Sequence, residues 1–226
     1  MPVYQVVVKE KVIQQDMYYK NQIIMKYTIK YPQFFSAHFQ VFLDKLNSFY
    51  RTRAVMYERS NIMNLYQMAM VEYEYSITNN FPVRQFEAYV DYEVTYNQNC
   101  ALSLYFDQYE YAGGAHGLTI RYSDSWNLQK SKKIEMMDLY PHRNNLKEFL
   151  TGVVIGQIDA GYNPEDSIYF KDYAKLVQDT LKISNFYLIP EGVVIYFQEY
   201  DIAPYSSGLP TFVIPFSPGG PIAPKC

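Results

Sequence analysis

Alternation of apolar and polar residues along the chain predicts its strands. Between Phe86 and Tyr96 every second residue is apolar and most of the residues between are polar, which is typical of a strand with one buried face. The turn signal Asn97–Asn99 follows, and a second strand is predicted from Cys100 to Tyr111, so we expect an antiparallel hairpin. Further strands are predicted at 3–14, 23–31, 118–128, 186–188, 193–197 and 211–215.

Apolar residues at helical spacing predict three helices. A long one runs from about Phe35 to Tyr75, with an irregularity near Asn61, and Pro32 is predicted to end the strand before it. Two shorter amphipathic helices are predicted at 145–159 and at 164–180, the second with a proline in its first turn.

The order of these elements predicts an α+β fold with antiparallel sheets. A long N-terminal helix is expected to pack on a strand meander, followed by two helices and a C-terminal hairpin. The character of the chain changes near Ser125, so we predict an N-terminal module at 1–125 and a C-terminal module at 126–217. Prolines and glycines dominate 218–226, which is predicted to be a flexible tail.

Composition and charge narrow the classes of function. The 226 residues are 49% hydrophobic, which is enough for a sizeable core. The net charge of -3 gives no basic surface for nucleic acid, and no apolar run reaches the length that spans a bilayer, so neither nucleic acid binding nor membrane insertion is expected. Tyrosine is abundant, at 25 residues. A structural use of tyrosine on strands is favoured over a partner-binding surface, although tyrosine suits both.

Two cysteines are present, Cys100 at the start of a predicted strand and Cys226 at the end of the chain. Because they lie so far apart in the sequence, a structural disulfide is not expected, and Cys100 is predicted to be a small buried residue. Two thiols do not make a zinc site, and no other spacing of ligands indicates a metal or a cofactor.

The segment 109–117, Tyr-Glu-Tyr-Ala-Gly-Gly-Ala-His-Gly, is the most specific motif of the chain. Glycine serves where the backbone needs positive φ or a close approach, so Gly113, Gly114 and Gly117 predict a specified turn after a strand.

His116 lies inside this turn and allows two interpretations. The favoured one is structural, with the ring bound to the backbone of the loop. The alternative makes His116 an acid, a base or a metal ligand, for which Glu110 and Asp124 are the nearest carboxylates in the sequence.

A second loop, from Pro204 through Tyr205 to Gly208, is the predicted contact site for a partner. Proline stiffens the loop, tyrosine offers a large rigid surface, and glycine allows a sharp return. The alternative is that Tyr205 packs back on the sheet.

The motif at 109–117 and the later stretches 186–197, 202–208 and 212–215 resemble, in order, one known family. This is the paired domain found outside the membrane in RsiV-type anti-sigma factors, which act as lysozyme receptors. A related N-terminal module occurs in PdaC-type peptidoglycan deacetylases. The resemblance covers about residues 10–217.

The resemblance implies a non-catalytic binding module for a lysozyme-like protein or a peptidoglycan glycan. Two alternatives stay open: a cell-wall-acting hydrolase with a site near His116, and a stand-alone structural domain with an intracellular partner. The chain shows no transmembrane helix, sigma-binding region or deacetylase domain, so neither transmembrane signalling nor deacetylation is expected. The resemblance implies a place outside the cytoplasm, whereas Met1 as the native start would imply the cytoplasm.

Overall fold

The computed structural model describes residues 5–161, 163 and 167–226, and these form an α+β fold, as predicted. The strands are β1 (Val7–Tyr19), β2 (Gln22–Phe35), β3 (Phe86–Gln98), β4 (Ala101–Tyr111), β5 (Leu118–Asn127), β6 (Lys132–Lys133), β7 (Phe186–Ile189), β8 (Gly192–Tyr196) and β9 (Thr211–Pro215). The helices are α1 (Gln40–Tyr57), α2 (Met63–Thr78), α3 (Met136–Leu139), α4 (Leu146–Gly161) and α5 (Tyr173–Thr180).

Strands β1 to β6 form one sheet in sequence order, and β7 to β9 form a second, antiparallel sheet. By its contacts the chain divides into two compact units. We call residues 6–92 and 106–120 the N-terminal unit, and residues 5, 93–105 and 121–226 the C-terminal unit. Strands β3, β4 and β5 contribute residues to both units, and the module boundary near Ser125 stays a prediction.

In the N-terminal unit, β1 and β2 form a long antiparallel hairpin. The prediction that Pro32 ends this strand was wrong, because β2 continues to Phe35. The reason is the length of the neighbouring strand: β3 pairs with β2 only over Met25–Ile29, so Pro32 has a paired strand on one side alone. A proline is tolerated there since its missing N–H need not serve a second strand.

Strands β2 and β3 pair in parallel, which requires a long crossover. The crossover is made by α1 and α2, joined through a π-helical turn at Glu58–Ile62 that explains the irregularity predicted near Asn61. Tyr50 of α1 is buried, and its ring lies 5.8 Å from that of Phe34 and 5.4 Å from that of Phe106. This aromatic contact packs the helix on the sheet.

In the C-terminal unit, α4 and α5 pack against β7, β8 and β9 around one apolar core. The core includes Leu150, Val154, Ile158, Val177, Leu188, Val193, Ile195 and Phe212. Helix α4 and the hairpin of β7 and β8 lie where the sequence predicted them.

Helix α5 begins at Tyr173, later than the predicted start at residue 164, which lies outside the described residues. The backbone before it serves other partners, since Tyr169 N–H donates to Ser167 Oγ and Phe170 N–H donates to Ile202 O. These N–H groups are therefore not available for the hydrogen bonds of an α-helix, and α5 begins only at Tyr173.

Cys100 and Cys226 form a disulfide, with their Cα atoms 5.1 Å apart. The prediction that they stay unpaired was wrong, because the fold returns the C-terminus to the start of β4 across a separation of 126 residues. Cys100 is buried, as predicted. The segment 218–226 also makes hydrogen bonds with its own unit: Ile222 N–H donates to Leu139 O, and Arg143 donates to Gly219 O.

Candidate functional site

The loop that follows β4 in the N-terminal unit carries Gly113, Gly114, His116 and Gly117, and we call it the glycine-histidine loop. Its glycines lie where the backbone conformation or a close contact disfavours other residues. Gly113 and Gly114 have φ of 82° and 95°, a region that other residues rarely adopt. Gly117 is buried, and a Cβ there would lie 2.5 Å from Tyr109 Cζ and 2.7 Å from Glu110 O. The turn therefore depends on glycine at these three positions.

The polar groups of this loop contact the backbone of the loop itself. His116 Nδ1 lies 2.8 Å from Gly117 O, and the Tyr111 hydroxyl donates to Gly114 O at 3.2 Å. These contacts favour the structural interpretation of His116, in which its ring holds the shape of the turn.

The two carboxylates considered as partners of His116 make other bonds. Glu110 accepts a hydrogen bond of 2.6 Å from the Tyr57 hydroxyl. Asp124 is buried, and its Oδ1 accepts a hydrogen bond of 2.7 Å from Lys133 Nζ. Within the described ranges, no group of three or more His, Cys, Asp or Glu side chains is placed to hold a metal ion.

The loop that carries Pro204, Tyr205 and Gly208 lies in the C-terminal unit and is held by several hydrogen bonds. Tyr205–Ser207 forms one 3-10 turn, in which Gly208 N–H donates to Tyr205 O at 2.9 Å. The Ser207 hydroxyl donates to Ile168 O at 3.0 Å, and Gly208 closes the turn with a φ of 65°. These bonds hold the backbone from Tyr205 to Gly208.

Tyr205 stacks on Tyr200, with ring centroids 6.3 Å apart and ring planes 29° from parallel. Tyr200 is 47% exposed and Tyr205 is partly exposed, so the pair presents aromatic surface to solvent. We call residues 200–208 the tyrosine loop. Ile202 and Ala203, which lie between the two tyrosines in sequence, are buried and anchor the loop.

Sequence reasoning missed Tyr200, since nothing in the polar stretch around it signals a ring partner. It adopts a φ of 66°, unusual for a bulky residue. The next residue, Asp201, accepts a hydrogen bond from Gln198 N–H at 2.8 Å, and burial raises the pKa of its carboxyl. The turn that this carboxylate closes orients Tyr200.

Other tyrosines of the C-terminal unit are used structurally, which is the favoured interpretation of the composition. The Arg121 guanidinium lies 3.7 Å from the centre of the Tyr105 ring, and Tyr187 and Tyr196 are buried with stacked rings. The Tyr105 hydroxyl donates to Glu93. These contacts stabilise the unit.

In the part of the chain that the structure describes, none of the helices has the length and apolar character needed to cross a bilayer.

Comparison with protein families gives two consecutive matches. Residues 19–119 match the family model described as Deacetylase PdaC, and residues 137–217 match the model described as a protein of unknown function, DUF3298. Among curated proteins, none matches this chain.

Two crystal structures of DUF3298 family proteins share the fold. The protein from Bacteroides fragilis is 18% identical, with a TM-score of 0.71, and the match covers 94% of this chain and 92% of that one. The protein from Pseudomonas aeruginosa is 17% identical, with a TM-score of 0.56, and the match covers 95% of this chain and 91% of that one. The predicted resemblance is therefore confirmed: the chain is similar to the PdaC family and then, toward its C-terminus, to the DUF3298 family.

Proposed function

We propose that this protein is a non-catalytic binding module that recognises a lysozyme-like protein through the tyrosine loop. The observation that supports the proposal is the stacked and exposed pair of Tyr200 and Tyr205. Tyrosine provides a large contact area with only two side-chain torsions to order, and it is enriched at interfaces.

The rigidity of the loop supports a role in recognition. Hydrogen bonds at Ser207 and Gly208 fix the backbone before any partner arrives, so less conformational entropy is lost on binding. A flexible loop with the same residues would bind more weakly for that reason.

The choice of partner rests on the resemblance to lysozyme receptors and on charge. The chain carries a net charge of -3, and c-type lysozymes are basic, so long-range attraction favours their encounter. The disulfide between Cys100 and Cys226 agrees with a place outside the reducing cytoplasm, where a lysozyme is met.

The proposal is tested by calorimetric titration of the purified protein with a c-type lysozyme. We expect binding at micromolar concentration or tighter, weakened at least about tenfold by Tyr205→Ala and by Tyr200→Ala. The matched control is Tyr18→Ala, which removes a tyrosine that is 58% exposed on β1 and should leave affinity unchanged.

Absence of binding at tens of micromolar would overturn the lysozyme proposal. Cosedimentation with insoluble peptidoglycan, lost in Tyr205→Ala, would then identify a glycan as the partner of the same surface. No observation in the described residues favours the hydrolase alternative near His116, which stays a prediction.

A further inference from the structure

A cleft of about 470 Å³ opens in the N-terminal unit, between the hairpin of β1 and β2 and the helix α1. Its volume is in the range of small-molecule sites. The lining consists of Lys11 from β1, of Tyr31, Pro32 and Gln33 from β2, and of Asn47, Ser48 and Arg51 from α1. We call it the cationic cleft, because two of these residues carry a positive charge and none carries a negative one.

Strand pairing and helical spacing bring these side chains to one place. Lys11 is directly opposite Tyr31 in the antiparallel hairpin, and residues opposite each other project from the same face. Asn47 and Ser48 precede Arg51 by four and three residues on α1, so all three lie on one side of the helix. One cation of the cleft therefore comes from a strand and the other from a helix.

Two hydrogen bonds fix α1 against β2 beside the cleft. Asn47 Nδ2 donates to Phe34 O at 2.9 Å, and Phe34 N–H donates to Asn47 Oδ1 at 2.7 Å. Tyr50, which precedes Arg51 in sequence, is buried and packs on the ring of Phe34. The walls of the cleft are thus held in place before a ligand arrives, which lowers the entropy lost on binding.

The two cations of the cleft are available to a ligand. Lys11 and Arg51 are exposed, and among the described residues neither has an ion-pair or hydrogen-bond partner. Asp44, the one carboxylate of α1, lies outside the lining and accepts a hydrogen bond of 2.7 Å from Gln40 Nε2. Glu10 is next to Lys11 in sequence and therefore projects from the opposite face of β1.

This lining selects an anion. A guanidinium and an ammonium bind phosphate or carboxylate oxygens through charge-assisted hydrogen bonds, whereas a cation would meet only repulsion from Lys11 and Arg51. The hydroxyls of Tyr31 and Ser48 and the amide of Gln33 can donate to further oxygens. Because both charged side chains are open to solvent, a ligand that enters the cleft can reach them.

We propose that the cationic cleft binds a small oxyanion with two negative charges, a phosphate monoester or a dicarboxylate, through Lys11 and Arg51. The two positive charges of the lining match the two charges of such a ligand. The site shares no residue with the tyrosine loop, which belongs to the other unit, so either proposal can fail without the other.

The experiment is a ligand-observed NMR titration of the purified protein with glycerol 3-phosphate and with succinate at millimolar concentrations. A solution of about pH 8 keeps the phosphate monoester close to two charges. We expect at least one of the two anions to bind, and Arg51→Gln and Lys11→Gln each to weaken its binding about fivefold or more. The anion that binds more tightly identifies phosphate or dicarboxylate as the class of ligand.

The matched control is Arg59→Gln, which removes another exposed arginine of the same unit that lies outside the lining and should leave affinity unchanged. Within the described part of the chain, none of the three substituted side chains has a hydrogen-bond or ion-pair partner, so each variant should keep the Tm of the wild type. A loss of affinity at unchanged Tm then reports on the cleft itself.

Three results would overturn the proposal. The first is failure of both anions to bind, and the second is unchanged affinity in Arg51→Gln and Lys11→Gln. The third is an equal loss of affinity in Arg59→Gln, which would show attraction to the general charge of the protein. Glycerol that binds as tightly as glycerol 3-phosphate would contradict the anionic class of ligand.

Discussion

At the residue scale, the glycines of the glycine-histidine loop differ in what they provide. Gly117 is required by a close approach, since a Cβ would meet the ring of Tyr109 and the carbonyl of Glu110. Overpacking of this kind costs about 1–3 kcal/mol, so Gly117→Ala should lower the free energy of unfolding by that amount in urea denaturation.

Gly152 is the matched control for this substitution. It lies on α4, and nothing is within 4 Å of the Cβ it would gain, so Gly152→Ala should be neutral or stabilise the protein by up to about 1 kcal/mol through helix propensity. Equal effects of the two substitutions would contradict the close approach at Gly117.

Two tyrosines predict how stability depends on alkaline pH. Burial raises the pKa values of Tyr92 and Tyr140 to about 12, above the value near 10 of an unfolded tyrosine. The stability from keeping both phenols neutral is fully present below about pH 10 and is lost as pH rises toward 12.

This loss is measured by urea unfolding from about pH 9 to 11. The double variant Tyr92→Phe/Tyr140→Phe should lose less stability over that interval than the wild type, by about 1 kcal/mol or more, a figure reduced for solvent screening at the half-buried Tyr92. A loss of equal size in both proteins would show that neither phenol is held neutral by the fold.

At the scale of elements, Ser103 of β4 joins the two sheets within the C-terminal unit. Its buried Oγ accepts a hydrogen bond of 2.9 Å from Leu188 N–H of β7 and lies 2.8 Å from Ser125 Oγ of β5. Ser103→Ala leaves a buried N–H without its acceptor, so the free energy of unfolding should fall by about 1–3 kcal/mol.

Ser125→Ala is the comparison, because it leaves the bond between Ser103 and Leu188 in place and should cost less. Chemical denaturation of both variants measures the difference. If Ser125→Ala proved the more damaging of the two, the bond to β7 would not be what joins the sheets.

Most elements could be predicted from the sequence because their patterns are local. The alternation from Phe86 to Tyr96 and the turn at Asn97–Asn99 specify a hairpin without reference to the rest of the chain. The prediction that Pro32 ends β2 was wrong because a strand tolerates a proline where it has only one paired neighbour, and how far β3 extends beside β2 cannot be predicted from local sequence. The late start of α5 depends on Phe170 bonding to Ile202, which no local pattern reveals.

At the scale of the whole molecule, the disulfide closes a loop of 126 residues. A cross-link over such a loop stabilises the folded state by about 5 kcal/mol, mainly by restricting the unfolded chain. Cys226→Ser and Cys100→Ser should therefore each lower the free energy of unfolding by a similar amount. Reduction of the wild-type disulfide should lower it by that amount as well.

The check is guanidinium unfolding with and without reductant, with non-reducing mass spectrometry to count thiols. Loss of stability in Cys100→Ser alone would indicate a packing role for the buried residue and contradict the cross-link.

The candidate sites could be predicted only in part, because some of their contacts follow no local sequence pattern. Pro204, Tyr205 and Gly208 form a recognisable loop, and the structure gives it the turn that those residue types favour. Tyr200 gave no signal, because its ring meets that of Tyr205 only through a turn in which Tyr200 adopts a φ of 66°, a conformation that no local sequence pattern indicates.

The most direct test of the binding account is hydrogen–deuterium exchange of this protein with and without c-type lysozyme. A binding surface at the tyrosine loop predicts that lysozyme slows exchange in peptides covering residues 200–208 and leaves the loop at 109–117 unchanged. Protection confined to 109–117, or no protection in any peptide at saturating lysozyme, would contradict the account.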